Sequence, residues 1–139
     1  MGLSARLRRE VMVRARKRCE YFGLSDLGQA ATFHIDHVIP QVSGGASTLD
    51  NLALACVQCS LRKGARKKAA DSRTGKMVPL YHPRQQVWNH HFRWSGTKLV
   101  GITASGRATV AALHLNSLEH LLIRGFEYQL GRHPPLRHV

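Results

Sequence analysis

The sequence predicts an α+β chain, with a small strand-bearing core between an N-terminal helix and a helical C-terminal part. Three observations predict it. Ala31 to Val38 is a run enriched in Thr, Phe, Ile and Val that stops just before Pro40. Ser60 to Ala70, directly after a Cys-x-x-Cys, is rich in helix formers. Leu118, Leu121, Leu122 and Phe126 recur at the spacing of one helix face.

The elements follow in order. Ser4 can cap a helix running toward Arg18, with Leu7, Val11 and Ala15 as its apolar stripe and Arg6, Arg9, Arg16 and Lys17 opposite. Gly23 to Gln29 reads as a loop. The strand or hairpin arm over Ala31 to Val38 ends at Pro40, which lacks an N–H for pairing. Ser43-Gly44-Gly45 is a turn, and Asp50-Asn51 starts a short helical turn through Leu52, Leu54 and Ala55. Gly64 weakens the basic helix after Cys59 without breaking it. Asp71 to Pro83 is a polar, turn-rich connector. Val87 to Trp94 holds both Trp residues, and core packing suits Trp88, Phe92 and Trp94 better than base stacking. Lys98 to Thr103 suits a short strand. Thr103 or Ser105 can cap a helix containing Val110, Leu113 and Leu115. Ser117 can cap another, whose buried face is Leu118, Leu121, Leu122 and Phe126. No repeat or low-complexity tract interrupts this order.

Composition narrows the function. At 139 residues and 43% apolar content, one compact domain is expected. Lys and Arg total 21 against 8 Asp and Glu, a net charge of +13. Such a surface attracts polyanions, nucleic acid first among them. An RNA- or ribosome-associated protein and an anionic membrane surface are the blander alternatives. No signal peptide and no apolar run long enough to span a bilayer is read in the sequence. Three Cys, two of them in Cys56-x-x-Cys59, argue against a disulfide framework and for metal in a reducing, cytoplasmic setting.

The chemistry concentrates at Asp36-His37. A carboxylate is a hard ligand for Mg²⁺ or Mn²⁺, and a His titrates near the pH at which it would act as a base on water. Adjacent strand residues point to opposite sides, so a bend near Val38-Ile39-Pro40 is needed to bring both to one phosphate. His34 shares the strand face of Asp36 and is a possible extra ligand, though a plain hydrogen-bonded role is favoured. His90-His91 is a weaker metal candidate.

Phe33-His34-Ile35-Asp36-His37-Val38-Ile39-Pro40, then Asp50-Asn51-Leu52, then Cys56-Val57-Gln58-Cys59 and a basic helix, resembles the HNH endonuclease family over roughly Cys19 to Lys68. The resemblance implies a ββα-metal core over about 15–70. It implies His37 as general base, Asp36 as metal ligand and Asn51 as the residue that fixes the loop. It puts Ser60 at the final metal position and implies a structural zinc on paired Cys-x-x-Cys motifs. Two positions depart from the pattern. Ser60 is a weaker ligand than the usual His or Asn. Phe22 stands where the fourth zinc thiolate would be, leaving Cys19, Cys56 and Cys59. Arg62, Lys63, Arg66, Lys67 and Lys68 would hold phosphates beside the scissile bond. From about 71 to 139, Thr74-Gly75-Lys76, His82-Pro83-Arg84, His91-Phe92-Arg93-Trp94 and Gly106-Arg107-Ala108-Thr109 resemble an extension of some bacterial HNH proteins.

The expected function is metal-dependent cleavage of nucleic acid, double-stranded DNA in particular. The alternatives are a degenerate HNH fold that binds without cutting, and a basic structural or RNA-associated protein in which Asp36-His37 is incidental.

Overall fold

The structure, a computed structural model, describes residues 2–27 and 32–135. Gln29 and Ala31, the ends of the expected loop and strand, lie outside the described residues.

Helix α1 (Ala5–Arg14) starts where the Ser4 hydroxyl accepts from the Leu7 N–H at 3.1 Å. It stops short of Arg18 because Arg16 and Lys17 adopt left-handed φ of 55° and 56°. Val11 and Ala15 are fully buried and pack with Leu52 and Leu54.

Strand β1 (His34–His37) pairs antiparallel with β2 (Leu52–Ala55), with His34 opposite Ala55 and His37 opposite Leu52. Helix α2 (Val57–Lys63) packs on both, so strand, strand and helix form a ββα unit. The helical turn expected through Leu52 to Ala55 is therefore a strand, preceded by a 3₁₀ turn at Leu49–Asn51. All four β2 residues are buried, so the alternation that marks a half-exposed strand is missing from the sequence. The basic helix is also shorter than expected. Gly64, at φ 53°, ends α2. Lys67 lies beyond it and Lys68 opens β3 (Lys68–Ala70).

The connector contains structure too. Strand β4 (Met77–Pro79) forms a hairpin with β3, and Asp71 fastens its turn. The Asp71 carboxylate accepts from the Arg73 N–H at 3.0 Å, from the Thr74 hydroxyl at 3.0 Å and from Arg107 at 2.8 and 3.0 Å. A second hairpin joins β5 (Phe92–Ser95) to β6 (Lys98–Gly101). Thr103 then caps α3 (Ala104–Ala112), which lies on β6.

One buried cluster runs through both halves of the chain and includes Cys19, Tyr21, Phe22, Trp88, Phe92 and Leu113. Trp88 stacks 5.1 Å from Phe92 and 5.7 Å from Trp94, the core role expected of them. Glu20, also fully buried, fastens the halves together. Its carboxylate accepts from the Leu54 N–H at 2.8 Å, pairs with Arg84 and lies 3.8 Å from Arg14.

Helix α4 (Leu118–Gln129) starts at Ser117 as expected but turns the other way round. Its buried residues are His120, Arg124 and Glu127, at 2, 2 and 5% exposure. Leu118, Leu122 and Phe126, expected inside, are 73, 58 and 69% exposed. Polar anchoring sets the orientation. His120 Nδ1 lies 3.0 Å from the His114 carbonyl. Arg124 donates to the Leu115 carbonyl and sits over the Phe22 and Trp94 rings at 5.6 and 5.2 Å. Among the described residues no helix is long and apolar enough to cross a membrane.

Candidate functional site

Strand alternation separates the two central side chains of β1. Asp36 turns toward α2 and is 8% exposed. The Tyr21 hydroxyl donates to its Oδ2 at 2.6 Å. The Lys63 ammonium lies 3.3 Å from Oδ1 and 3.2 Å from Oδ2, and donates to the His37 carbonyl at 3.1 Å. Burial pushes the Asp36 carboxyl above its ordinary value, opposed by the positive charge of Lys63 and the Tyr21 hydrogen bond.

His37 faces the other way, with Nε2 2.9 Å from the Ser47 hydroxyl. The loop behind it is held by Asn51. Asn51 Oδ1 accepts from the Ile39 N–H at 2.9 Å, and Nδ2 donates to the Ile39 and Ala46 carbonyls at 3.0 and 2.9 Å. This loop closes so tightly that a Cβ at Gly45 would sit 1.7 Å from the Ile39 oxygen and 2.8 Å from Asn51 Nδ2. Only glycine allows it.

Ser60, on α2, lies 2.9 Å from His34 Nδ1. An open cleft of about 290 Å³ brings Asp36, His37 and Ser60 onto one surface, with Gln41, Val42 and Gly64 around them. The donor chemistry fits a hard divalent cation, with one carboxylate, one hydroxyl and room for water. Lys63 is the competing cation at that carboxylate.

Lys63 therefore requires correction as a phosphate contact: at 1% exposure it is an internal counter-ion. Arg66 is likewise partly committed, donating to the Arg62 and Ala112 carbonyls at 2.7 and 3.2 Å. Arg62, Lys67 and Lys68 remain exposed. Lys67 and Lys68 line a separate groove of about 440 Å³ with Lys63, Tyr81 and His82.

The three cysteines do converge. The sulfurs of Cys19, Cys56 and Cys59 lie within 4.8 Å of one another, all buried and all free. Burial pushes the Cys19 and Cys59 thiols up. Hydrogen bonds from both, and from backbone N–H groups at the start of α2, pull the Cys56 thiol down. This donor set suits zinc. Phe22 is 1% exposed, and its ring packs 4.8 Å from the His120 ring. His120 lines the same cavity as Cys56 but stands outside the tight thiol group. No other group of three His, Cys, Asp or Glu close enough to share a metal occurs among the described residues. In the His90-His91 pair, His91 Nδ1 instead lies 2.7 Å from the Thr103 hydroxyl.

Residues 17–66 match the family model described as HNH endonuclease. The chain carries an HNH-family domain. Its ββα unit, cleft and thiol cluster all fall on or within that segment. HNH domains bind nucleic acid and are typically nucleases that use a divalent metal. No curated protein and no solved structure matches the chain.

Two residues of the HNH site escaped sequence reasoning. Tyr21, which holds Asp36, sits inside the Cys19-Glu20-Tyr21-Phe22 motif and reads there as spacer. Ser47, which holds His37, lies in a turn where Ser is ordinary.

Proposed function

We propose that this chain is a metal-dependent HNH endonuclease acting on double-stranded DNA. The observation that carries the reading is the single cleft that Asp36, His37 and Ser60 share, with the His37 loop fixed by three Asn51 hydrogen bonds. Asp36 and Ser60 would hold Mg²⁺ or Mn²⁺, which when bound neutralises charge on the scissile phosphate and eases departure of the 3′-oxygen. Ser47 takes the Nε2 proton of His37 as a hydrogen bond, leaving Nδ1 as the base that accepts a proton from the attacking water. Arg62, Lys67 and Lys68 hold the flanking phosphates, which makes binding fall steeply with salt.

Cys19, Cys56 and Cys59 would hold a structural zinc, with His120, which lines the same cavity as Cys56, as fourth donor. His120 Nδ1 already bonds a carbonyl, the arrangement that leaves Nε2 for a metal. Zinc content and the spectrum of the cobalt-substituted protein test this. The expected spectrum is that of three thiolates and one imidazole, and it changes in His120→Ala. A metal-free preparation refutes it. Free thiols suit a reducing, cytoplasmic compartment.

The Lys63–Asp36 pair favours a second reading, an HNH domain that binds DNA without cutting it. Incubating supercoiled plasmid with the wild type and His37→Ala, in Mg²⁺, Mn²⁺ or EDTA, separates the two. Metal-dependent nicking absent from the variant supports the nuclease. DNA retardation by both proteins with no nicking supports the binder.

A further inference from the structure

Helix α4 is built inside out. Its polar residues His120, Arg124 and Glu127 face the protein, while Ile123 packs on the core and most of its large apolar residues face solvent. Leu118, Leu122, Phe126 and the capping Leu130 are 73, 58, 69 and 64% exposed. They fall at i, i+4, i+8 and i+12, which makes one continuous ridge. Beside it, Gly125 has nothing within 4 Å of where a Cβ would be, so the neighbouring row is a shallow groove.

We propose that this face joins two copies of the chain, with α4 packed on α4 across a two-fold axis. The ridge is self-complementary. Reversed about Arg124, its sequence places Leu118 against the partner copy's Leu130 and Leu122 against the partner copy's Phe126, so apolar meets apolar throughout. Packing of i±4 ridges into each other's grooves brings helices together at about −50°, and Gly125 lets the backbones approach.

Charge selects a protein over nucleic acid as occupant. In a chain of net charge +13, Arg124 is the only Lys or Arg between Leu118 and Gly131, and it and His120 are buried. A face without cations gains nothing from phosphates, and it is where two such basic molecules meet with least repulsion. The area suits this too. The four ridge residues expose roughly 530 Å² on the basis of about 200 Å² for a free large apolar residue, and Glu119, Gly125 and Gln129 flank them. A standard interface needs about 800 Å² from each partner. A patch of this size lies at the upper end of what a monomer leaves in water, where patches are often functional.

Sedimentation equilibrium of the full chain from about 1 to 100 μM tests the proposal, with Leu122→Arg and Phe126→Glu as variants. Both positions are exposed, so folding, read by circular dichroism and melting, should be kept. The expected result is a dimer in the wild type whose dissociation constant rises about 30-fold or more in each variant, as for a central interface side chain. A wild type that is monomeric at 100 μM overturns it. So does a dimer that both variants preserve, because association would then use another face.

Discussion

Lys63 and Asp36 form a buried ion pair across the ββα unit, the ammonium 3.2 Å from one carboxylate oxygen and 3.3 Å from the other. A cation therefore already sits where the proposed nuclease needs one. Removing a single partner of such a pair leaves an uncompensated charge, at a cost of about 3–5 kcal/mol. Lys63→Met should lose stability of that order in EDTA and regain much of it in millimolar Mn²⁺. Thermal unfolding in both conditions measures it. Equal losses with and without the metal would mean that Asp36 is not a ligand.

The Ser47 hydroxyl lies 2.9 Å from His37 Nε2, and in the proposed nuclease it would orient the ring. Ser47→Ala should slow single-turnover plasmid nicking by about 10-fold, the scale of a lost orienting hydrogen bond, while leaving DNA affinity unchanged. The pH profile of nicking in the variant gives a second readout of the same contact. A change in affinity with no change in rate or profile would place Ser47 in binding instead.

Gly44 and Gly45 should answer differently to alanine. Gly44 has φ 89° and open space around it, so Gly44→Ala costs about 1 kcal/mol of backbone strain. At Gly45 the new methyl meets the Ile39 carbonyl, so the loop must open and the Asn51 bonds must break. Gly45→Ala should cost about 3 kcal/mol and abolish nicking. Urea unfolding and the plasmid assay check the pair.

Asp71 gives an acid limb to stability. Arg107, with the Arg73 N–H and the Thr74 hydroxyl, holds its carboxyl below the usual carboxylate range. A depressed folded-state pKa adds stability above the unfolded value of 3.8, and that stability disappears as pH falls through the folded value. The wild type should therefore lose stability steadily below about pH 4. Asp71→Asn should flatten that slope and be less stable at pH 7. Melting temperatures from pH 2 to 7 follow both effects.

The first strand, its loop and the start of α2 were readable because their signals are local. Pro40 marks the strand end, Asn51 needs only its own three hydrogen bonds, and Cys56-x-x-Cys59 leads directly into α2. What escaped depends on distant partners. β2 is apolar on both faces, so periodicity could not separate strand from helix. Lys63 looked like its basic neighbours because nothing in the sequence says that Asp36 lies behind it. In α4 the spacing marks a coherent apolar face, but spacing does not say which side the core is on. Hydrogen bonds to the His114 and Leu115 carbonyls decided that.

Glu20 bears on how such proteins can be recombined. It lies inside the segment that matches the HNH family, yet one of its cations, Arg84, comes from beyond that segment, and another, Arg14, comes from before it. The Tyr21 carbonyl likewise accepts from the Trp88 indole at 2.9 Å. Cutting out residues 17–66 as a portable cassette would strand a carboxylate in an apolar interior and unroof the base of the thiol cluster. Fusions and chimaeras that carry this HNH segment elsewhere should take the flanking sequence with it.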